Sequence, residues 1–366
     1  GFIPEQSKVF RARRFRHALL QRPVTVRGFA HTKGNRGCRI AGDGVLKLAT
    51  IDRGPALSVV IVSYNTREMT LRAIETLYEH TQLTQFECIV WDNASSDGSA
   101  DAIAAAFPQV RLVRAAQNLG FARANNLAAQ QCCSDYLLLL NPDTELHTDA
   151  VDQLVAFARE NPQAGIWGGR TIFADGSLNI ASCWARPTVA SLLFKATGLS
   201  TAFPRSAVFN PEAYGRWPRD SVRPVDIVVG CFLLIDRSLW HQLGGFSEKY
   251  FMYGEDADLC LRAIHLGYQP LITPKAQIVH HVGASTTVTE AKAIAVMTSR
   301  ASLVRDHWPA WQQGAGVFLM WLWSALRYLA TRPFVASRDA QRRAQAAHWA
   351  AVWAARKTWL RGYDQA

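Results

Sequence analysis

The chain has 366 residues, of which 49% are hydrophobic and 19% are charged, and this composition excludes a disordered or collagen-like protein. A chain of this length suggests two or three structural units and can bury a large core without disulfide or zinc support. The seven cysteines are odd in number and form no CxxC pair, which favours the reducing cytosol. No apolar run follows the arginines of residues 11–16, so we expect no secretory signal.

The net charge of +11 is spread unevenly along the chain. Residues 1–55 hold 12 Lys and Arg against three Asp and Glu, and residues 300–366 hold ten against three. The middle, residues 56–299, is acidic, with 18 against 23. Basic ends suit an anionic membrane or nucleic acid, whereas an acidic middle disfavours a nucleic-acid groove there and suits carboxylates that bind metal. We therefore divide the chain into a basic N-terminal extension with small β structure at best, a central domain and a C-terminal region.

From Leu57 onward, the pattern predicts strands that alternate with amphipathic helices. Residues 57–65 form a continuous apolar run, as in a strand buried on both faces, and residues 67–80 predict the helix after it. The same alternation predicts strands at 86–93, 110–115 and 136–143 and helices at 98–107, 119–131 and 148–160. This spacing indicates an α/β fold, with a Rossmann-like, mostly parallel sheet and helices on both of its faces.

The second half of the chain shows a looser pattern. Residues 164–173 and the Asp175-Gly176 turn predict a hairpin, and the Pro-rich residues 185–224 predict an irregular loop insertion. The remaining elements are a strand leading into a helix at 225–240, a helix at 255–266, a strand at 270–281 and a helix at 290–306.

The C-terminal region is rich in Trp and Arg, because seven of the 12 Trp residues lie in residues 301–366. The apolar run at 317–330 is shorter than the ~20 residues that a spanning helix needs. Trp beside Arg is typical of a membrane interface, so we expect a helical region in peripheral contact with an anionic membrane. A helical cap over the core or a dimer contact is the alternative.

Polar side chains end the predicted strands, at the edge where open α/β sheets bind ligands. Neither GxGxxG after the first strand nor GxxxxGK[ST] occurs, so the sequence does not support a dinucleotide dehydrogenase and excludes a P-loop. A divalent cation, Mg²⁺ or Mn²⁺, is the expected means of handling phosphate, and Asp143 is a suitable hard oxygen ligand. Capping of the next helix is the alternative role for residues 141–144.

A second acidic cluster opens the helix predicted at 255–266. Glu255, Asp256 and Asp258 fill three of four positions, which exceeds what helix capping needs. A carboxylate here could act as general base towards an acceptor hydroxyl. His280 ends the following strand and could complete a metal shell, although a lone His is more often structural.

Seven stretches, in order between Leu57 and Ser285, resemble the family 2 inverting glycosyltransferases of the GT-A fold, in particular their bacterial rhamnosyltransferase-like branch. They read VVIVSYN (59–65), VWDNASSDGS (90–99), NLGFARANN (118–126), LLLNPDTE (138–145), GGF (244–246), YGEDADLCLRA (253–263) and IVHHVGAS (278–285). The resemblance implies a nucleotide-binding half at 56–145 and an acceptor and catalytic half at 146–299.

The resemblance also implies roles for single residues. Asp256 matches the catalytic base. Asp92 matches the acid that forms a hydrogen bond with the nucleobase of the donor. Asp143 matches the last acid of the metal motif, His280 matches a metal ligand of some relatives, and Asn141 stands where the first acid of the motif would be. Further nucleotide and donor contacts are implied for Ser63, Tyr64, Asn65, Asn93, Ser95, Asn118, Gly120, Phe121 and Asn141. Acceptor or supporting contacts are expected from Glu255, Asp258, Trp184 and Trp217, with ordinary packing as the alternative for both Trp.

The implied reaction moves a sugar, with L-rhamnose as the branch suggests, from a dTDP- or UDP-sugar to a hydroxyl of a glycan or lipid-linked glycan in cell-surface polysaccharide biosynthesis. Asp256 takes the hydroxyl proton, the configuration inverts, and a metal at Asp143 stabilises the leaving diphosphate. We expect the protein in the cytoplasm, peripheral to the inner face of the membrane, with oligomerisation open. A catalytically weak nucleotide-sugar-binding scaffold in an assembly complex stays possible because of Asn141. Nucleic-acid binding is disfavoured, since no zinc-finger or RNP-like signature occurs.

Overall fold

The computed structural model describes residues 55–281 and 290–363, all of which belong to one compact unit. The N-terminal extension predicted at 1–55 lies outside the described residues apart from Pro55, and so does the predicted motif at 278–285 beyond His281. Among the described residues, every helix lacks either the length or the apolar character needed to cross a membrane.

The first half alternates strands and helices as the sequence predicts. Its elements are β1 (Leu57–Ser63), α1 (Arg67–His80), β2 (Phe86–Asp92), α2 (Ser99–Ala106), β3 (Arg111–Arg114), α3 (Phe121–Ala129), β4 (Tyr136–Leu140), β5 (Thr144–Leu146) and α4 (Ala150–Glu160). β1 lies parallel to β2 on one side and to β4 on the other, and β2 lies parallel to β3. Every residue of β1 is buried, which explains its continuous apolar run.

The second half contains shorter strands and a larger share of helix. Its elements are β6 (Ile166–Ile172), β7 (Leu178–Asn179), β8 (Cys183–Trp184), α5 (Val189–Thr197), α6 (Leu199–Ala202), β9 (Arg223–Pro224), β10 (Ile227–Val228), β11 (Phe232–Asp236), α7 (Arg237–Leu243), α8 (Glu255–His265), β12 (Leu271–His280), α9 (Glu290–His307), α10 (Ala310–Thr331), α11 (Ala340–Ala354) and α12 (Arg356–Trp359). The hairpin predicted around residues 175–176 is confirmed, because β6 pairs antiparallel with β7.

The main sheet of the described residues has the strand order β3-β2-β1-β4-β11-β6-β12-β5, with β7 beside β6 and β9 beside β12. The predicted parallel arrangement holds for β3-β2-β1-β4 and for β6 with β12. β11 runs antiparallel to both of its neighbours, and β5 runs antiparallel to β12. The reversal of β11 has a consequence for the site, because it brings the loop before Phe232 beside the carboxyl end of β4.

Two hydrophobic clusters cover the two faces of the sheet. Val59 and Ile61 of β1 belong to the cluster that includes residues of α1, α2 and α4. Val60 and Val62 belong to the other, which includes residues of α3, α7 and α8. Successive side chains of a strand point to opposite faces of the sheet, so alternate residues of β1 belong to the two different clusters. The prediction of helices on both faces is confirmed.

The insertion at 185–224, predicted as irregular, contains two helices. Thr188 and Ser191 form a reciprocal capping box at the start of α5, and Gly198 ends it with a φ of 83°. The prolines of this segment flank α5 without interrupting it, which is why proline content alone misled the prediction. The buried Glu212 binds Lys195 at 3.2 Å and Arg300 at 2.9 Å, which ties the insertion to α9.

Helix α9 continues through residue 300, where the sequence suggested the start of a separate C-terminal region. Residues from α5, α9, α10, α11 and α12 share one hydrophobic cluster, so the insertion and the C-terminal helices pack together.

Candidate functional site

A cleft of about 340 Å³ opens at the carboxyl ends of β1 and β4. Its wall contains ten residues predicted for the site, which are Tyr64, Asn93, Asn118, Gly120, Phe121, Asn141, Asp143, Glu255, Asp256 and His280. A second depression, of about 800 Å³, lies where Ala56 and Tyr136 mark the opposite ends of these strands, and it holds none of the predicted residues. The cleft therefore joins both halves of the chain at the expected edge of the sheet.

Asp256 occupies the first turn of α8 and receives two backbone hydrogen bonds. Gly230 N donates to its Oδ2 at 3.1 Å, and Ala257 N donates to its Oδ1 at 2.7 Å. Gly230 comes from the loop before β11, which the reversed strand brings to the cleft. Both N–H donors and the partial positive charge of the helix N-terminus favour a negative charge on Asp256, in opposition to its burial.

The turn before α8 has an unusual backbone that fixes the position of the acidic cluster. Tyr253 has a φ of 70° and Gly254 a φ of 92°. A Cβ at Gly254 would collide with the Ser299 hydroxyl of α9, so only glycine fits there. Two successive left-handed residues start α8 abruptly beside the cleft.

Glu255 lies next to Asp256 but in a different electrostatic environment. It is buried, and its Oε2 has no hydrogen-bond partner among the described residues. Burial raises the pKa of Glu255, and the charge of Asp256 raises it further. Burial also raises the pKa of Asp256, but the hydrogen bonds from Gly230 and Ala257 oppose that shift. Burial thus raises the pKa of both carboxyl groups, and the two N–H donors make Asp256 the member of the pair that loses its proton more readily.

Asp143 and His280 face each other across the pairing of β5 with β12. His280 Nε2 lies 3.3 Å from Asp143 Oδ1, and His281 N donates to the Asp143 carbonyl at 2.9 Å. Burial lowers the pKa of His280, but the neighbouring Cys231 and Asp143 together raise it to about 10. Asn141 Oδ1 is buried and has no hydrogen-bond partner among the described residues.

These donors can be compared with what a divalent cation needs. The described residues contain no group of three His, Cys, Asp and Glu side chains that could hold a metal ion. One carboxylate, one imidazole and the neutral Asn141 oxygen nevertheless line the same wall. Mg²⁺ commonly takes one or two carboxylates and fills its other positions with water and substrate phosphate oxygens. The residues present fit a cation of that kind, which on binding would displace the proton that His280 holds.

Asn93 fixes the loop that forms another part of the wall. Its Nδ2 donates to Asn118 Oδ1 at 2.9 Å and to the Gly120 carbonyl at 3.2 Å, and its Oδ1 accepts from Leu119 N at 2.9 Å. A Cβ at Gly120 would lie 2.7 Å from the Phe251 carbonyl, so this loop closely approaches the segment that precedes α8. The loop thus links the two halves of the chain.

The loops after β1 and β2 are tied together beside the cleft. Asn65 N donates to Ser95 Oγ at 3.0 Å, and Ser96 N donates to Asn65 Oδ1 at 2.7 Å. Asp92 is buried, accepts from Ser95 N at 3.2 Å through Oδ2, and keeps Oδ1 without a hydrogen-bond partner in the described part of the chain. Ser63 is fully buried and bonds to Thr66 and Thr70, so it supports the turn and is not in the wall.

Three predicted acceptor or support residues are not in the cleft wall. Asp258 accepts from Arg262 Nε at 2.8 Å and lies 2.9 Å from His307 Nε2. Burial would raise the pKa of Asp258, but His307 and Arg262 hold it below its ordinary value. Trp184 packs against a cluster that includes Tyr250, and the ring of Trp217 meets that of Tyr214 at a centroid distance of 5.8 Å. Their contacts are those of packing residues.

Residues that sequence reasoning missed complete the wall. Lys292 of α9 is the sole Lys or Arg that the described residues contribute to it, and its Nζ lies 5.6 Å from the centre of the Tyr253 ring. Gly230, Met252 and Tyr253 also belong to the wall. No local pattern marks Lys292, whereas Tyr253 belongs to a motif that the sequence singled out for its acids.

Comparisons with known proteins match the chain to glycosyltransferases. The sequence profile described as "Glycosyl transferase family 2" matches residues 58–216, and the profile "N-terminal domain of galactosyltransferase" matches residues 220–285. An N-acetylglucosaminyl-diphospho-decaprenol L-rhamnosyltransferase of Mycobacterium tuberculosis is 31% identical over 241 residues, which cover 63% of this chain and 77% of that protein. Rhamnosyltransferase WbbL of Escherichia coli is 26% identical over 173 residues, which cover 44% of this chain and 61% of that protein.

Among solved structures, the mannosyltransferase PcManGT from Pyrobaculum calidifontis, in complex with GDP-Man and Mn²⁺, matches with a TM-score of 0.50. The match covers 84% of this chain and 83% of that one, at 18% sequence identity. At this identity the likeness concerns the fold alone, and it agrees with the α/β architecture described above.

Proposed function

The chain belongs to glycosyl transferase family 2, in its rhamnosyltransferase-like branch, and from this premise we propose that it transfers L-rhamnose from a nucleotide-diphosphate donor to a hydroxyl of a lipid-linked glycan. The observation that carries the reaction is Asp256, whose carboxylate accepts two backbone N–H hydrogen bonds in the cleft wall beside Glu255. The mycobacterial relative, named as an L-rhamnosyltransferase that acts on a decaprenol-linked N-acetylglucosamine, supports the sugar and the class of acceptor.

The donor binds along the edge formed by the loops after β1, β2 and β4. The buried Oδ1 of Asp92, which has no partner among the described residues, is suited to accept a hydrogen bond from the nucleotide base. Tyr64 and the loop at Asn118 and Gly120 line the cleft and would border the nucleoside and the sugar. A dTDP- or UDP-sugar is the expected donor.

Transfer needs a base for the acceptor hydroxyl and a stabilised leaving group. Asp256 accepts the hydroxyl proton as the oxygen attacks the anomeric carbon from the face opposite the diphosphate. The bond to the diphosphate breaks in the same displacement, so the configuration inverts without a covalent enzyme intermediate. Glu255 keeps its proton, which prevents a second negative charge from competing with Asp256.

Asp143, His280 and the Asn141 side-chain oxygen would hold a divalent cation, Mg²⁺ or Mn²⁺, beside the diphosphate. Such an ion supplies positive charge to the leaving diphosphate. Lys292, which also lines the cleft, adds a further positive charge and is suited to a phosphate oxygen.

A lipid-linked acceptor implies work at a membrane surface. We therefore place the protein in the cytoplasm, in peripheral contact with the inner face of the membrane. A nucleotide-sugar-binding scaffold without turnover is the second candidate, and the neutral Asn141 in place of an acid is the feature that favours it.

The direct test is a transfer assay with the full chain, Mg²⁺ or Mn²⁺, and a short-chain lipid-diphosphate N-acetylglucosamine acceptor kept soluble in detergent. dTDP-L-rhamnose, UDP-glucose and UDP-galactofuranose serve as competing donors, and mass spectrometry identifies the product. We expect transfer from dTDP-L-rhamnose. Binding of a nucleotide sugar without product from any of the donors would favour the scaffold, and transfer of another sugar alone would refute rhamnose.

A further inference from the structure

Helix α10 carries an exposed apolar face that the proposed reaction does not use. Trp311 is 81% exposed, Phe318 55%, Leu326 40% and Leu329 57%, and we call these four residues the α10 stripe. Their spacing of seven, eight and three residues places them on one face of the helix. From Trp311 to Leu329 the stripe extends over about 27 Å of helix.

The opposite face of α10 is occupied by the rest of the protein. Leu319 and Met320 are buried in the cluster shared with α5, α9 and α11, and Gly316 is packed against Trp308 and Val304. Arg327 is the one charged residue of α10, and its Nη2 donates to Thr201 Oγ1 of α6 at 2.8 Å. The helix is thus held lengthwise on the protein with its apolar stripe facing outwards.

The segment formed by α10 and the helices that follow it, of which α11 packs on α10, carries a strong positive charge. Residues 310–363 contain eight Lys and Arg but a single acid, Asp339. Most of these cations are exposed and follow α10 in the chain, at Arg332, Arg338, Arg342, Arg343, Lys357 and Arg361. Arg356 lies over the Trp353 ring at 4.4 Å and Arg342 over the Phe334 ring at 5.2 Å. Arg beside aromatic rings at the border of an apolar strip is the composition of a helix that lies in a membrane interface.

We propose that the α10 stripe is the surface by which this protein docks on an anionic lipid bilayer, with α10 lying in the plane of the headgroups. An anionic surface neutralises the cations around the stripe, whereas a second copy of this face would bring like charges together. The inference rests on the proposed lipid-linked acceptor and adds to it the part of the chain that meets the lipid.

Helix α9 connects this surface with the cleft. Lys292 near its start lies in the cleft wall, and His307 at its end lies three residues before α10 begins. The two residues are about 22 Å apart along the helix axis. The His307 contact with Asp258 also fixes this end of α9 to α8, the helix that carries Asp256. Docking through α10 therefore holds the cleft at a set distance from the lipid.

The test replaces the three most exposed residues of the stripe in the full chain, as Trp311→Gln, Phe318→Gln and Leu329→Gln together. A matched control replaces three exposed apolar residues elsewhere, Leu83→Gln, Val208→Gln and Val222→Gln, which are 85%, 65% and 53% exposed. Co-sedimentation is measured with vesicles of phosphatidylcholine alone and of phosphatidylcholine with phosphatidylglycerol. We expect the stripe variant to bind the mixed vesicles at least about tenfold more weakly than the parent, and the control variant to bind as the parent does.

Undiminished vesicle binding by the stripe variant would overturn the inference. Unchanged vesicle binding together with a change from dimer to monomer, measured by light scattering, would assign the face to a second copy of the chain. Transfer to the detergent-solubilised acceptor is measured in parallel. Because that transfer needs no bilayer, a parent protein that shows no transfer would count against the proposed function alone. A stripe variant that transfers sugar as the parent does has folded correctly.

Discussion

The cleft and the α10 stripe differ in chemistry: the cleft is lined by polar groups, whereas the stripe is an exposed apolar face. The cleft is small and acidic, and it depends on a few groups with defined partners, such as Asp256 with its two N–H donors. The stripe is long and exposed, the chain that follows it is rich in exposed cations, and no single contact defines it. One substitution in the cleft should therefore abolish turnover, whereas the stripe should lose its function only when several side chains change together.

The largest single effect is expected at Asp256. Asp256→Asn removes the base without changing the size of the side chain, and should lower kcat by about a thousandfold or more while nucleotide binding stays nearly intact. Steady-state kinetics and nucleotide titration measure the two quantities. Asp258→Asn is the matched control on the same helix, because it disturbs the contacts with Arg262 and His307 and should lower the melting temperature. Turnover retained by Asp256→Asn would remove Asp256 as base.

The cation site gives the next effect. Asp143→Ala should weaken Mn²⁺-dependent nucleotide binding by about ten- to a hundredfold, because the one carboxylate of the proposed donor set is lost. Glu145→Gln is the control, since Glu145 pairs with Arg72 and His281 and is not in the cleft wall. Calorimetric titration with and without Mn²⁺ measures the change. An unaltered metal requirement in Asp143→Ala would exclude it as a ligand.

Glu255 should make stability depend on pH in a defined direction. Its pKa is raised by folding, so the folded state holds the proton more tightly than the unfolded chain does, and stability falls as pH rises from about 4 through the raised pKa. Glu255→Gln removes the free-energy cost of burying an ionised carboxylate. At pH values above the raised pKa it should stabilise the protein by about 1–3 kcal/mol, with little change near pH 4. Denaturant unfolding across pH provides the measurement. An equal effect at all pH values would contradict a protonated Glu255.

Lys292 tests whether the cleft extends to α9. Lys292→Met keeps the length of the side chain but removes its charge, and should raise the KM for the donor by about five- to tenfold. Lys249→Met is the control, because Lys249 binds Asp306 at 2.7 Å and is not in the cleft wall. An unchanged donor KM with an altered acceptor KM would move Lys292 to the acceptor side.

The smallest effect is expected for one residue of the stripe. Leu329→Gln should change the free energy of unfolding by less than about 0.5 kcal/mol, because the side chain is already 57% exposed. Vesicle binding should fall by about threefold or less. A loss as large as that of the triple variant would mean that one contact dominates, and the surface would then resemble a pocket more than a membrane face.

The parts of the fold that sequence could predict are those with local periodicity. Helix α1 has the predicted bounds, and β1 to β4 follow the predicted apolar runs. The reversal of β11 was not predictable, because an apolar strand buried on both faces carries no signal of its direction. Helix α5 was missed although Thr188, Ser191 and Gly198 mark its two ends, since the prolines outside it dominated the pattern.

The site was predictable where a motif concentrates polar residues at the end of one strand or the start of one helix. Ten of the predicted residues line the cleft for that reason. The family resemblance separated Asp256 from Asp258, but composition and spacing alone did not. Their physical difference lies in their partners, Gly230 for one and His307 for the other, which are distant in the chain. Lys292 was missed for a similar reason, because only the packing of α9 brings it to the cleft.

The measurement that tests the central claim most directly is the anomeric configuration of the product, determined by NMR after transfer from a donor of known configuration. A single displacement assisted by Asp256 predicts a product whose anomeric configuration is inverted relative to the donor. Retention of the donor configuration would require another mechanism and would contradict the role assigned to Asp256.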